Sequence, residues 1–524
     1  IMDFTNVNCN NGEIFMFQSS SPPKLAQPTP PPPSVIHKAR YKRNSISKNP
    51  EEARQKRIEL DAQVRRKHRE QLITAKRIKH NLDDFKDDDA ESEFDLTHHD
   101  IEKLKSGLND SDRDSRLSSL KDLSTYLADP PDTLKHFVIN DNCIDILIKF
   151  LSGVDPEEQL QATWCITNIV AGPKEFCKKA FAAIPHLINF LRGGNTSLQD
   201  QAAWAIGNLA AEGPECRDIL RANGVLVPLI ELLNSKNVSL VQTICFALSN
   251  LARGSNANLD EFFSAGITKH LLFYLGTDEM NEVVSEISWV LTYLTSSEDD
   301  KYTQILLKDG IVPPLVKHLR PFNHGPLALP LIRTFGNIAS GPDDNTDILI
   351  QQPDFLPAML EYIQSDCRPV KKESLWVMSN ITATRRPEVL IKVFNAGFIP
   401  ILSSIATHTN FDIRKEAAYS LLNIASHGEE YMRSLPHQDL LPGFLEFIRS
   451  QDIDLKRLGL GYVELLLTQV QNGQQLLEQM QGIDALESVT LLEDQSLRDT
   501  STRLMDKYFG EDFHSSINEI QLTE

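Results

Sequence analysis

The sequence predicts an all-α solenoid: stacked helical repeats wound into a right-handed superhelix, preceded by a basic segment that is disordered in part and helical in part. Three observations predict it: two apolar phrases that recur along most of the chain, an asparagine held at one place in the second phrase, and a change of charge sign near residue 82. At 524 residues the chain exceeds one ordinary compact domain, whereas a repeat array can lengthen along one axis indefinitely.

The first phrase is AIPHLINFL (183–191), VLVPLIELL (225–233), GIVPPLVKHL (310–319), FLPAMLEYI (355–363), FIPILSSI (398–405) and LLPGFLEFI (440–448). Its proline suits the first turn of a helix, where the missing N–H costs nothing. Gly224, Gly266, Gly310 and Gly397 stand before it, where one helix must stop and the next turn away. The second phrase is ATWCITNIVAG (162–172), AAWAIGNLAAEG (202–213), ICFALSNLARG (244–254), ISWVLTYLTSS (287–297), IRTFGNIASG (332–341), LWVMSNITA (375–383) and AYSLLNIAS (418–426). It carries Asn168, Asn208, Asn250, Asn337, Asn380 and Asn423, with Tyr293 in the one remaining slot. Successive spacings are 40, 42, 43, 44, 43 and 43 residues, the period of armadillo or HEAT repeats. SRLSSLKDLSTYLAD (115–129) begins the array, and RLGLGYVELLLTQ (457–469), which lacks the asparagine, closes it. About nine or ten armadillo units are expected within residues 100–512.

The rest of the chain divides by composition. Residues 1–50 are rich in Pro, Ser and Asn and will not pack. Residues 51–82 hold good helix formers and a basic run, 83–99 form an acidic linker, and 513–524 form a tail. Residues 1–82 carry a net charge of +9 and the remainder −28. An acidic body repels nucleic acid and favours basic partners. Residues 1–18 lack the basic and apolar regions of a signal peptide, and no apolar run is long enough to span a membrane. The chain begins Ile1-Met2, so it is incomplete or starts at Met2. The seven cysteines form no CxxC pair. Cys143, Cys165, Cys216 and Cys245 fall in apolar or helical runs as buried free thiols, consistent with a reducing compartment. No phosphate loop, nucleophile elbow or metal-spaced Cys/His group is present, and His98-His99 stand in a polar linker, so neither an enzyme nor a cofactor is expected.

Within the second phrase an aromatic residue precedes the asparagine by four: Trp164/Asn168, Trp204/Asn208, Phe246/Asn250, Trp376/Asn380 and Tyr419/Asn423. Residues i and i+4 lie on one helix face, so stacked repeats align a column of rings beside a column of amides. A side-chain amide offers a donor and an acceptor, as a peptide backbone requires. Flat rings flanking an extended chain take Lys or Arg through cation–π contact and the methylene stem. Carboxylates complete such slots. Glu212 follows Asn208 by four residues, and Glu286, Glu373 and Glu416 precede Trp289, Trp376 and Tyr419 by three. A single Trp on a helix is ordinarily core and a single Asn ordinarily a cap. Core packing alone, however, has no need of an amide in six of seven slots.

This ladder resembles importin-α (karyopherin-α), the armadillo adaptor family that carries nuclear localisation signals. The likeness covers most of residues 50–512 and includes Arg333 in a tryptophan slot, Gln201 before Trp204, Arg253 after Asn250 and the closing Lys507-Tyr508-Phe509. It implies a major peptide site at Trp164, Asn168, Gln201, Trp204, Asn208, Glu212, Phe246 and Asn250. It implies a minor site at Glu286, Trp289, Arg333, Asn337, Glu373, Trp376, Asn380, Glu416, Tyr419 and Asn423. Phe246 and Tyr419 for tryptophan, Tyr293 for asparagine, Glu212 for aspartate and Cys177 for threonine mark a divergent branch. That branch is similar to the importin-α-like proteins named transmembrane and coiled-coil domain-containing protein 6.

The basic run ARQKRIELDAQVRRKHREQLITAKRIKH (53–80) holds Arg54, Lys56, Arg57, Arg65, Arg66, Lys67, Arg69, Lys76, Arg77 and Lys79. On the same resemblance it is an importin-β-binding segment, with Lys76-Arg77-Ile78-Lys79 the part that occupies the chain's own groove; a plain solvated basic helix or RNA-binding arm is the alternative. The expected function is a nuclear import adaptor, cytoplasmic and nuclear, joining basic cargo to importin-β and recycled by an export factor. The competing expectation is an armadillo scaffold without transport activity.

Overall fold

The structure, a computed structural model, describes residues 96–510 apart from 255–256, 278–280 and 321–326. The expectations for residues 1–95, including the basic run, and for the 513–524 tail lie outside the described residues. Among the described residues every regular element is helical.

Ten helices stack on one another in chain order and share one face: α1 (Arg113–Tyr126), α2 (Pro156–Ala171), α3 (Thr196–Glu212), α4 (Val238–Leu251), α5 (Asn281–Leu294), α6 (Ala328–Ala339), α7 (Arg368–Ile381), α8 (Phe411–Ala425), α9 (Ile453–Gln469) and α10 (Gln495–Phe509). Shorter helices, such as Pro214–Ala222 and Leu226–Leu232 before α4, fill the outer side of each unit. The buried apolar residues form one continuous core from Ile101 to Leu504, because each unit hides its apolar face only against its neighbours. The recurring second phrase is therefore the stacked helix and the proline phrase its outer partner, as the period predicted.

Helix starts follow local chemistry. Six of the ten stacked helices are N-capped by a side chain that accepts backbone N–H bonds: Asp112, Asp155, Asn195, Asn237, Asp452 and Asp494. This row, which the repeat spacing did not reveal, contributes about 1 kcal/mol per helix. Gly224, Gly266, Gly310 and Gly397 take φ of 73°, 80°, 83° and 84°, the left-handed turn open to glycine without steric cost. In the last unit Gln481 adopts it, with φ 55°.

Two expectations are corrected. Pro442 lies inside the helix His437–Arg449, not in its first turn. The carbonyl its ring deprives of a partner, that of Gln438, belongs to an exposed residue that water can satisfy. His98 and His99 open the helix His98–Leu108 rather than standing in a linker, because Thr97 and Asp100 form a reciprocal cap around that helix start.

A second row of polar bonds joins the outer helices. Tyr274 donates to the Leu233 carbonyl (2.6 Å), a ring N–H of His318 to Leu275 (2.8 Å) and Tyr362 to Leu319 (3.2 Å). Each satisfies a carbonyl at the end of the preceding unit's helix, where no intrahelical partner exists. All six described cysteines, Cys143, Cys165, Cys177, Cys216, Cys245 and Cys367, are buried and unbridged. Among the described residues no single helix is long and apolar enough to cross a membrane.

Candidate functional site

The stacked helices bring the predicted ladder residues to their shared face, in order: Trp164 and Asn168 on α2, Gln201, Trp204, Asn208 and Glu212 on α3, Phe246 and Asn250 on α4, Glu286, Trp289 and Tyr293 on α5, Arg333 and Asn337 on α6, Glu373, Trp376 and Asn380 on α7, and Glu416, Tyr419 and Asn423 on α8. The basic residues from Arg54 to Lys79 lie outside the described residues.

The asparagines do more than face a ligand. Each donates its side-chain amide to a carbonyl on the preceding stacked helix: Asn168 to Ser124 (2.8 Å), Asn208 to Thr167 (3.4 Å), Asn250 to Gly207 (3.2 Å), Asn337 to Thr292 (2.8 Å), Asn380 to Gly336 (3.0 Å) and Asn423 to Ser379 (2.8 Å). Every acceptor but the first is the residue immediately before the previous ladder position, and Ser124 marks Thr125 as that position in α1. The sequence argument that packing has no need of these amides is thus corrected: one amide hydrogen of each staples two repeats. The Asn337 amide also reaches the Thr295 hydroxyl (3.2 Å), while the Asn168 and Asn380 side-chain oxygens are buried with no hydrogen-bond partner and are the acceptors left for a bound backbone.

The residues just before the ladder positions are small, Thr167, Gly207, Ser249, Thr292, Gly336 and Ser379, and at two of them the reason is steric. A Cβ on Gly207 would stand 2.5 Å from the Phe246 ring, and one on Gly336 2.1 Å from the Trp376 ring. These two rings lie directly on the backbone of the preceding helix. At α9 the sizes are exchanged: Leu422 fills the small position, and Gly461, whose added Cβ would meet only the Leu422 side chain (3.4 Å), stands in the ring position. The ladder ends there, with Asn423 its last amide.

The rings form a graded surface. Trp164, Trp204 and Trp289 are half-buried, whereas Phe246, Tyr293, Trp376 and Tyr419 are buried. Trp204 and Phe246 lie 6.2 Å apart at 55°, Trp289 and Tyr293 6.3 Å apart at 26°. Arg333, in its ring slot, places its guanidinium 6.0 Å from the centre of Trp289, itself a cation–π arrangement. It also pairs with Glu373 at 3.3 Å, both side chains being largely covered. Of the four predicted carboxylates, Glu286, Glu373 and Glu416 are buried and Glu212 is half-buried. Glu212 Oε2 lies 3.7 Å from the thiol of Cys177, so the two departures noted in sequence meet in one corner. Next to Trp164 and Gln201, at the start of α3, a cavity of about 310 Å³ is lined by Asp200, Thr196 and Ser197. No motif in the sequence had marked Asp200.

Residues 131–171, 182–211 and 213–253 match the armadillo/beta-catenin-like repeat family, the units that end in α2, α3 and α4. The chain is 32% identical to importin subunit alpha-2 of Oryza sativa subsp. japonica, over 93% of this chain and 98% of that protein. It belongs to the importin-α family. Importin subunit alpha-9 of Arabidopsis thaliana is 33% identical over 79% of this chain and 84% of that protein. Among solved structures, a crystal structure of an engineered protein shares the fold, with a TM-score of 0.68 and 23% identity over 78% of this chain and 98% of that one. Within the importin-α family, then, this member keeps an amide in six of seven ladder slots and fills two ring slots with Phe246 and Tyr419.

Proposed function

We propose that this importin-α family member is a nuclear import adaptor, a binder rather than a catalyst. Its ladder face takes an extended Lys/Arg-rich signal peptide, and its basic segment at Arg54–Lys79 engages importin-β. The observation that carries this reading is the single register shared by rings, amides and carboxylates along α2 to α8. Rings spaced one helix apart accept the stems of alternate long side chains, amides between them hold the backbone, and Glu212, Glu286, Glu373 and Glu416 give the face the sign opposite to its ligand. The major site lies at α2–α4, where Trp164 and Trp204 are the more open rings, and the minor site at α5–α8. Cargo with a nuclear localisation signal, importin-β and an export factor are the partners of such an adaptor, which moves between cytoplasm and nucleus. Titration of a labelled basic signal peptide against the full chain and its Trp204→Ala/Asn208→Ala variant tests the reading. Binding that survives the double substitution unchanged removes the groove assignment.

The amide staples favour a second reading, an armadillo scaffold without transport activity, because they give the asparagines a purely structural task. The same titration separates the two. A scaffold leaves the basic peptide unbound by either form.

A further inference from the structure

Outside residues 1–82 the chain carries a net charge of −28, yet three arginines meet at one end of the ladder helices. Arg217 and Arg221 lie one turn apart on the helix Pro214–Ala222. Arg217 donates to the Ala210 carbonyl (3.1 Å) in the last turn of α3, and its guanidinium lies 3.6 Å from where a Cβ on Gly254 would stand. Arg221 donates to the carbonyl of Leu251, at the end of α4. Arg253 follows two residues later and sets its guanidinium 5.5 Å from the Tyr293 ring of the ladder.

Like charges this close raise one another's energy. Burial first, then Arg253 and Arg221, hold the Arg217 guanidinium below its ordinary value, at about 10, so it remains charged at neutral pH. The negative ends of α3 and α4 offset part of this charge, about half a unit each. Asp218 and Glu261 are the carboxylates that act on Arg221. Neither reaches ion-pair distance, and among the described residues no carboxylate does so for Arg217 or Arg221. The Arg221 Nε is buried without an acceptor. A half-buried cationic cluster with an unused donor thus borders a face otherwise built for cations.

We propose that Arg217, Arg221 and Arg253 receive an anionic side chain, a carboxylate or a phosphoserine, that flanks the basic stretch of the chain bound along the ladder. The cluster then fixes where that basic stretch stops. This rests on the reading of the ladder as a groove for basic peptides. Charge complementarity names the occupant: a lysine at this rim meets three guanidiniums, whereas an oxyanion meets a fork of donors matched to it. The chain's own sequence shows the pattern, since Lys76-Arg77-Ile78-Lys79 is followed by Asp83, Asp84 and further acidic residues.

The test is fluorescence anisotropy on the full chain with three sets of peptides. All share one lysine-rich core and carry alanine, aspartate or phosphoserine flanks, at either end. One acidic-flank orientation is expected to bind about three- to tenfold more tightly than the alanine-flank peptide, as suits a partly exposed ion pair. That gain disappears in Arg217→Gln/Arg221→Gln and is kept in part in Arg217→Lys/Arg221→Lys, which preserves charge but not the guanidinium fork and controls for folding. Equal affinity for all three flanks, or a gain that survives the glutamine variant, overturns the proposal. Failure of the alanine-flank peptide to bind at all instead removes the groove reading on which it rests.

Discussion

Asn380 donates its side-chain amide to the carbonyl of Gly336 (3.0 Å), the residue immediately before Asn337, which sits in the same slot one repeat earlier. The ladder is therefore also a row of staples, and each staple fixes how far one repeat slides along the next. Replacing Asn380 with Ala removes a buried hydrogen bond and should lower stability by about 1–2 kcal/mol. Urea unfolding in the absence of peptide reads this directly. An unchanged midpoint would show that the staple contributes nothing.

Gly336 sits beneath the Trp376 ring, and a Cβ there would stand 2.1 Å from it. Gly336→Ala must displace the indole or part α6 from α7, at a cost of about 1–3 kcal/mol. Alanine elsewhere in a helix interior stabilises relative to glycine, so the sign of the change is diagnostic. Thermal unfolding monitored by tryptophan emission should show a lower midpoint.

The Trp204→Ala/Asn208→Ala variant loses one ring slot and one backbone clamp. Each such truncation costs about 1–3 kcal/mol, so affinity for a basic signal peptide should fall at least tenfold. Asn208 reaches Thr167 at 3.4 Å, the longest staple of the row, so that one bond is the weakest of the staples. Circular dichroism of the variant should be close to that of the parent, leaving peptide titration to report the site itself.

Deleting residues 1–82 removes the +9 segment. Importin-β binding should be abolished, while affinity for a basic cargo peptide rises or stays the same, since an internal competitor at high effective concentration is gone. Any gain should shrink with salt, because exposed charges are screened over about 10 Å at 0.1 M. Cargo affinity that falls on deletion would mean that the segment helps to hold cargo.

The fold was legible because it is written repeatedly. A single phrase such as AAWAIGNLAAEG says only that a helix is apolar on most sides, whereas seven copies at a near-constant period force one stacking geometry. The glycines before the proline phrase were readable for the same reason: only a left-handed turn explains a glycine kept at Gly224, Gly266, Gly310 and Gly397. Pro442 was misplaced because the phrase containing it resembles the others, while its helix begins five residues earlier at His437.

Of the candidate site, the sequence by itself determined which residues share a face, since an i, i+4 spacing on successive helices leaves no other arrangement. Only the tertiary structure decided what those residues touch. The carbonyl that each asparagine reaches lies 41 to 45 residues back, and the glycine beneath Trp376 lies on another helix. The Arg333–Glu373 pair and the gathering of Arg217, Arg221 and Arg253 join residues from neighbouring helices. Distances between helices are set by how side chains interlock across the stack, and no single repeat contains its neighbour's surface. Periodicity therefore fixes the array, and packing between repeats fixes its chemistry.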